Sequence, residues 1–418
     1  ERSMHLYVAG STGSGKSKFI EYLIRQDVRN WRNSRCGILL LDPHGSVYDR
    51  AVQWLAGKGH IYNRPVILID LRRDDWIVAY NVLRKREAAA SVVTDNLVDA
   101  LAYVWGAGGT AETPRLARTA ATVFHTLYEH GLPLGDAIKV LDFLNHDLRV
   151  ALAESLRDPV IRSNLERLNA LKFSEYSFET ESTLNRLQRF LRNELFAAIF
   201  GQTHVSLDLS AALHEGHIIL VSLATEVGKI SREDANTFAT LLLADLWTAG
   251  KERGKDKRGA KPFYVYLDEF QRFVSPTIAE NLDEARGFGL HLTLAHQYPS
   301  QLIEASQEHG QRLYESILEN ARNKVVFSLS LRERNLTPLA DWLYMGTFDT
   351  KNVKHEQVVT KVMGYDEETR TVTTSSSSWG QARSDTRGSS DGSGSVHSTS
   401  TGGIFDDGSP LPSRHWGE

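Results

Sequence analysis

The sequence predicts an α/β protein whose parallel sheet is split by an all-helical insertion and followed by a disordered Ser/Gly-rich tail. Three observations carry this reading. Up to residue 70, short β-rich apolar runs alternate with helical patterns, as in strands joined by crossover helices. From Glu87, apolar positions recur three and four apart, as at Leu187, Phe190, Leu191 and Leu195, with few β-branched runs. From Ser375 to Gly403, Ser, Thr and Gly dominate, and such a stretch cannot bury enough apolar surface to fold alone.

In chain order, strands are expected at His5 to Ala9, Gly37 to Asp42 and Pro65 to Asp70, with helices at Phe19 to Ile24 and around Tyr48 to Leu55. Helical periodicity follows at 87–105, 114–130, 135–145 and 178–200. Strand character returns at His217 to Leu223, Pro262 to Leu267, Leu290 to Ala295 and Lys324 to Leu329. The expected organisation is a first half-core at 1–84, a helical insertion at 85–205, a second half-core at 206–354 and a C-terminal segment at 355–418. In that segment, Val358 to Met363 and Thr369 to Thr373 are expected to form a hairpin about Gly364, Tyr365 and Asp366.

The 418 residues are 41% hydrophobic and 24% charged, ordinary for a globular chain of two or three domains. The one cysteine, Cys36, opens an apolar run and reads as a small buried residue. Cysteine alone can build no disulfide or zinc site here, and a reducing, cytoplasmic compartment is the default. No apolar run approaches the roughly eighteen residues of a membrane span. A net charge of −4 argues against a surface coated in basic residues, but not against a local basic channel. The chain opens on Glu1 and reaches a strand almost at once, so a membrane anchor or further domain upstream is an expectation.

Gly10, Ser11, Thr12, Gly13, Ser14, Gly15, Lys16 and Ser17 spell GSTGSGKS, a match to G-x-x-x-x-G-K-[ST] between an apolar strand and a helix. Gly10, Gly13 and Gly15 are expected to adopt positive φ, turning consecutive N–H groups toward phosphate oxygens at a helix N-terminus. Lys16 would then reach the β and γ phosphates, and the Ser17 hydroxyl would join the shell of Mg²⁺. The bland alternative is a glycine-rich turn that binds nothing; it leaves unexplained why every motif position is filled in the required context. ATP or GTP is the expected ligand.

The segment YVYLDEFQRF, residues 264–273, is an apolar strand ending in two carboxylates. Asp268 is expected to hold Mg²⁺ and Glu269 to act as general base on the attacking water. The competing reading is an Asp-Glu helix cap. A third strand ends at His296 and Gln297. Gln297 is the expected γ-phosphate sensor, and His296 reads as a packing residue behind it. Several strands intervene between the two elements and a separate catalytic Glu is present. Both features indicate a RecA-like P-loop NTPase core of the additional-strand type, not a small GTPase.

With these pieces in order, the chain resembles the FtsK/HerA superfamily of hexameric DNA-pumping ATPases. Within it the chain is similar to the coupling ATPases of conjugative type IV secretion and their HerA-like relatives. The resemblance rests on GSTGSGKS, LLLDPHG at 39–45, SLDLS and EGHIILVSL within 206–223, YLDEF, and EARGFGLHLTLAHQYPSQL at 284–302. It implies a homohexamer with ATP at each interface. It also implies that Arg286 reaches the neighbouring subunit's ATP, with Arg322 the second candidate, and that Asp42 and His44 close their strand near the phosphates. Two departures stand out: the family's N-terminal barrel or membrane anchor is absent from the sequence, and the strand at Phe327 is not followed by the arginine expected there.

Cations for a nucleic acid are less distinct. KERGKDKRGAK, residues 251–261, holds six Lys or Arg but also Glu252 and Asp256, and reads as readily as a solvated loop. Arg72, Arg73, Arg115 and Arg118 are further cations that sequence does not separate from a salt-bridged surface. Four functions remain open. The first is a hexameric motor moving double-stranded DNA with a type IV secretion or relaxosome partner, at the inner membrane through an upstream anchor. The others are an ATPase working with a nuclease or effector in DNA end processing or phage defence, an ATPase energising protein export without DNA, and a nucleotide-gated scaffold. An intact Glu269 counts against the last.

Overall fold

The computed structural model describes residues 4–58, 64–105, 114–226, 228–254, 261–272, 282, 284–298 and 309–329, with two short strands at 356–359 and 413–416. The core begins β1 (Leu6–Ala9), α1 (Lys16–Arg29), α2 (Trp31–Ser34), β2 (Gly37–Asp42), α3 (Ser46–Lys58) and β3 (Val66–Asp70). A run of helices follows: α4 (Ala90–Val104), α5 (Pro114–His130), α6 (Ala137–Leu141), α7 (His146–Ser155), α8 (Pro159–Ala170), α9 (Phe173–Leu191) and α10 (Glu194–Phe200). The core resumes with α11 (Leu209–Glu215), β4 (Ile218–Ser222), α12 (Arg232–Arg253), β5 (Phe263–Asp268), β6 (Leu290–His296), α13 (His309–Asn320) and β7 (Asn323–Val326).

The seven strands form one parallel sheet in the order β3-β4-β2-β5-β6-β1-β7. The strands from β4 to β1 in that order are buried at every position, as befits parallel strands covered on both faces. Register places the functional ends together. Ala9 lies beside His296, and Asp268 lies beside Ala295. On one face α1 buries Ile20, Leu23, Ile24 and Val28, spaced three and four apart, against Val8, Ile38, Leu40 and Tyr266.

The helices between β3 and β4 are fastened to the core through α12. Phe196, Phe200 and Phe238 pack with Tyr80, ring centroids of Phe196 and Phe238 lying 6.0 Å apart. Beside them Asp245 of α12 accepts hydrogen bonds from Tyr80 at 2.9 Å, Arg84 at 3.0 Å and Arg86. Residues 146–177, left unassigned by periodicity, carry α7, α8 and the start of α9. Their apolar signal is thin because α7 and α8 bury few side chains, among them Leu152, Leu165 and Leu168.

In the C-terminal unit β8 (Glu356–Val359) pairs antiparallel with β9 (Ser413–Trp416). The described partner of this strand is thus β9, whereas the expected partner at Thr369 to Thr373 and the Ser/Gly-rich stretch lie outside the described residues. Among the described residues no helix is long and apolar enough to cross a membrane.

Candidate active site

The cradle grows from the end of β1 and is held by the chain just past β7. Gly10 N–H donates to the His296 carbonyl at 3.2 Å, and Phe327 N–H donates to the Ala9 carbonyl at 2.8 Å. Ser11 donates from both its N–H, at 2.9 Å, and its Oγ, at 2.8 Å, to the Ser328 carbonyl. Gly13 and Gly15 have φ of 79° and 106°, which glycine tolerates. Gly10 departs from expectation, since its φ is not positive. It is glycine for want of room, because a Cβ there would lie 2.6 Å from Ser14 Oγ and 2.7 Å from Phe327 Cβ. The Phe327 ring also meets Phe19 edge-on, at 5.8 Å between centroids, and so floors the cradle.

Within the cradle, Lys16 is only 7% exposed, and its Nζ donates to Glu269 Oε1 at 3.2 Å and lies 3.7 Å from Asp268 Oδ1. Burial pushes the Asp268 carboxyl up to about 6; Lys16 opposes this, while Asp42 and Glu269 add to it. Burial also pushes Glu269 up, but hydrogen bonds from Gln271 and Gln297, together with Lys16, hold it below the usual carboxylate range. Those bonds run from Gln271 Nε2 to Oε2 at 2.7 Å and from Gln297 Nε2 to Oε1 at 2.9 Å. Thr12 Oγ1 in turn donates to Gln297 Oε1 at 2.9 Å, so one relay joins the cradle to Glu269. Glu269 itself sits at φ 49°, a left-handed conformation that costs a non-glycine residue about 1–3 kcal/mol.

The remaining predicted residues divide clearly. Ser17 is half-buried, second in α1, beside Lys16. Asp42 accepts backbone N–H bonds from His44, Val47 and Tyr48 at 3.0, 2.7 and 2.9 Å, so it caps α3 while staying near Asp268. His44 is exposed at that turn. His296 is fully buried; burial takes its pKa down to about 3, and its Nε2 shares a hydrogen bond with the Tyr7 hydroxyl. It braces β6 against β1 as a neutral ring.

Arg286 and Arg322 are not part of this chain's own cradle. Arg286 is exposed just before β6, its Nη1 3.2 Å from Met4 Sδ, and Arg322 is exposed just before β7. The cradle lies at the other end of those parallel strands, and the 7 residues of β6 put about 20 Å between.

The basic residues singled out above are mostly occupied within the chain. Arg72 pairs with Asp49 at 2.6 Å and Asp70 at 2.7 Å, Arg73 with Asp75 at 2.6 Å, and Arg118 with Glu179 at 2.7 Å. Arg115 lies 4.0 Å over the Phe178 ring. Residues 255–260 of the basic stretch lie outside the described residues; at its end Lys261 Nζ donates to the His214 carbonyl at 2.8 Å.

Sequence reasoning missed Tyr7, Gln271, Phe327 and Ser328. Only Gln271 carried a local signal, two residues beyond Glu269 in DEFQ. The pocket suits a nucleotide with a divalent cation. Two buried carboxylates face one lysine, and Ser14 Oγ is buried without a partner among the described residues. One hydroxyl and one carboxylate suit Mg²⁺, which keeps water and phosphate oxygens as its other ligands.

Residues 2–246 match the family model described as the central domain of helicase HerA. Residues 262–403 match that described as the TraM recognition site of TraD and TraG. Comparison with curated proteins finds no match. Among solved structures, the chain is similar to the bacterial conjugative coupling protein TrwBdeltaN70 in a trigonal form with sulphate. Identity is 15% and the TM-score 0.55, over 82% of this chain and 74% of that one. The plasmid coupling protein TrwB with ADP and Mg²⁺ gives 16% and 0.51, over 75% and 69% of the chains. The same protein with the ATP analogue ADPNP gives 16% and 0.54, over 81% and 74%. At such identities the likeness is one of fold. The match over residues 2–246 spans more than half of the 418 residues, and the chain belongs to the HerA helicase central-domain family.

Proposed function

We propose that this chain is an ATP-hydrolysing motor that works as a ring of six copies and moves double-stranded DNA, in the manner of a conjugative coupling ATPase. The observation that carries the reading is Glu269, buried, held in a left-handed backbone and bonded to Lys16, Gln271 and Gln297. The cradle N–H groups from Gly10 to Ser17 bind the phosphates, and Lys16 swings from Glu269 to the β and γ phosphates. Glu269, released from Lys16 but still held by the two amides, takes the proton of the attacking water. Mg²⁺, when bound by Ser17 and Asp268, neutralises phosphate charge. Gln297 touches both Thr12 and Glu269 and so senses whether a γ-phosphate is present.

Arg286, remote from its own cradle, serves a neighbour's ATP, with Arg322 at the same end of the sheet, two strands away. The HerA and TraD/TraG matches support DNA as cargo and a relaxosome or type IV secretion component as partner, with membrane attachment through a segment upstream. The HerA match also favours a second reading, an ATPase acting with a nuclease or effector on DNA ends. ATPase rates with duplex DNA, single-stranded DNA and no DNA, with oligomer mass measured in parallel, test the proposal. Duplex stimulation in a six-subunit particle is expected; a monomer indifferent to DNA would overturn it.

A further inference from the structure

The exposed and half-buried arginines are not all engaged alike. Arg72, Arg73, Arg84, Arg86 and Arg118 each lie against a carboxylate. Arg29 and Arg35 do not; among the described residues, the side-chain partner of each is a tryptophan ring. Arg29 lies 5.5 Å over Trp54, which Arg25 also approaches at 5.4 Å. Arg35 lies 4.4 Å over Trp31, which Arg64 also approaches at 5.3 Å. The carboxylates nearby are engaged, Glu21 by Lys18, Arg25 and Arg50, and Asp27 by the Tyr266 hydroxyl.

A second observation marks the same place. Among the described non-glycine residues, φ is positive at Glu269 and at Arg35, where it is 53°. Arg35 closes α2, a position that glycine normally fills because a side chain is disfavoured there. The turn is seated on Gly216, where a Cβ would fall 2.5 Å from the Arg35 carbonyl. Backbone strain kept at a residue whose side chain is exposed points to a use for that side chain.

We infer that the face formed by the end of α1, α2 and α3 is a second binding surface for duplex DNA, with Arg29, Arg32 and Arg35 gripping phosphates. All three are exposed and follow one another at steps of three residues. Stacking on tryptophan holds a guanidinium in place while leaving its N–H edge and its charge available. Trp31 and Trp54 are packed on the core beneath these cations, so neither ring is offered, among the described residues, as an apolar tip for a lipid surface. It lies near the start of β2, at the end of the sheet away from the cradle, so DNA held there does not compete with nucleotide. The choice of DNA rests on the proposed function.

The test is binding of a fluorescent random-sequence duplex to the full chain without nucleotide, across a salt series. For Arg29→Ala combined with Arg35→Gly, affinity is expected to fall at least about tenfold at low salt, and the slope of log K against log salt to flatten by about 2. Arg35→Gly alone is expected to melt no earlier than wild type while giving half of that flattening, which separates binding from folding. The Lys pair, Arg29→Lys with Arg35→Lys, is expected to keep the slope. Binding curves of the double variant that superimpose on wild type would overturn the inference. So would unchanged DNA binding with lost binding to phosphatidylglycerol vesicles, which would assign the face to membrane. Failure of the motor reading looks different: DNA binding is lost in the double variant, yet wild-type ATPase ignores duplex.

Discussion

Asp245 and Asp268 are both buried carboxylates, and they are balanced in opposite ways. Around Asp245, burial is outweighed by Arg86 and Arg84, which hold its carboxyl below the usual range while Tyr80 donates as well. Around Asp268, burial wins, because the single Lys16 is shared with Glu269, and the carboxyl rises to about 6. The first arrangement is electrically closed and serves as a clasp between residues 80–86 and α12. The second is short of positive charge, a deficit that an incoming ligand can fill.

Lys16→Ala removes the cation that contacts both carboxylates of the open site, and ATP turnover is expected to fall by at least about 100-fold in a phosphate-release assay. Turnover near wild type would mean that the cradle is not the working site. Asp245→Ala leaves the buried Arg86 without its carboxylate and Arg84 with Asp208 alone, and a loss of about 3–5 kcal/mol is expected in urea melts. A loss under about 1 kcal/mol would show that the clasp is not closed.

pH separates the two sites further. Asp245, with its pKa lowered, stabilises the fold fully above the ordinary carboxylate value and loses that contribution as pH falls through its own lower one. Asp268, with its pKa raised, costs no stability below the ordinary carboxylate value; the cost grows as pH rises from there and is complete above about 6. Asp268→Asn without nucleotide is therefore expected to be more stable than wild type at pH 8, by up to about 3 kcal/mol, with that advantage about halved near pH 5 and gone near about pH 3. A difference that does not change with pH would mean that Asp268 is not under electrostatic strain. Smallest is Gln271→Ala, expected to lower kcat about tenfold with KM unchanged, since it only positions Glu269. A rise in KM alone would make Gln271 a binding residue instead.

What was legible in the sequence was local. Each strand of the seven-stranded sheet could be seen in its own apolar run, and the cradle and the Asp268–Glu269 pair in contiguous motifs. Contacts made by distant parts of the chain could not be seen this way. Phe327 and Ser328 support Gly10 and Ser11 from more than three hundred residues away. Asp245 reads as an odd charge in LLLADLW until Arg84 and Arg86 are placed beside it. Gly10 shows the same limit within a motif. Its type was legible, but its reason, close approach rather than positive φ, depends on Phe327. The strain at Arg35 had no sequence signature beyond an arginine where a helix cap often has glycine.

Single-turnover hydrolysis of Mg²⁺·ATP by wild type and Glu269→Gln, with nucleotide binding measured on the same samples, tests the site most directly. The variant is expected to bind ATP as wild type does and to hydrolyse it at least about 100-fold more slowly. Hydrolysis at the wild-type rate would contradict Glu269 as the base and, with it, the reading of this pocket as the engine of a motor.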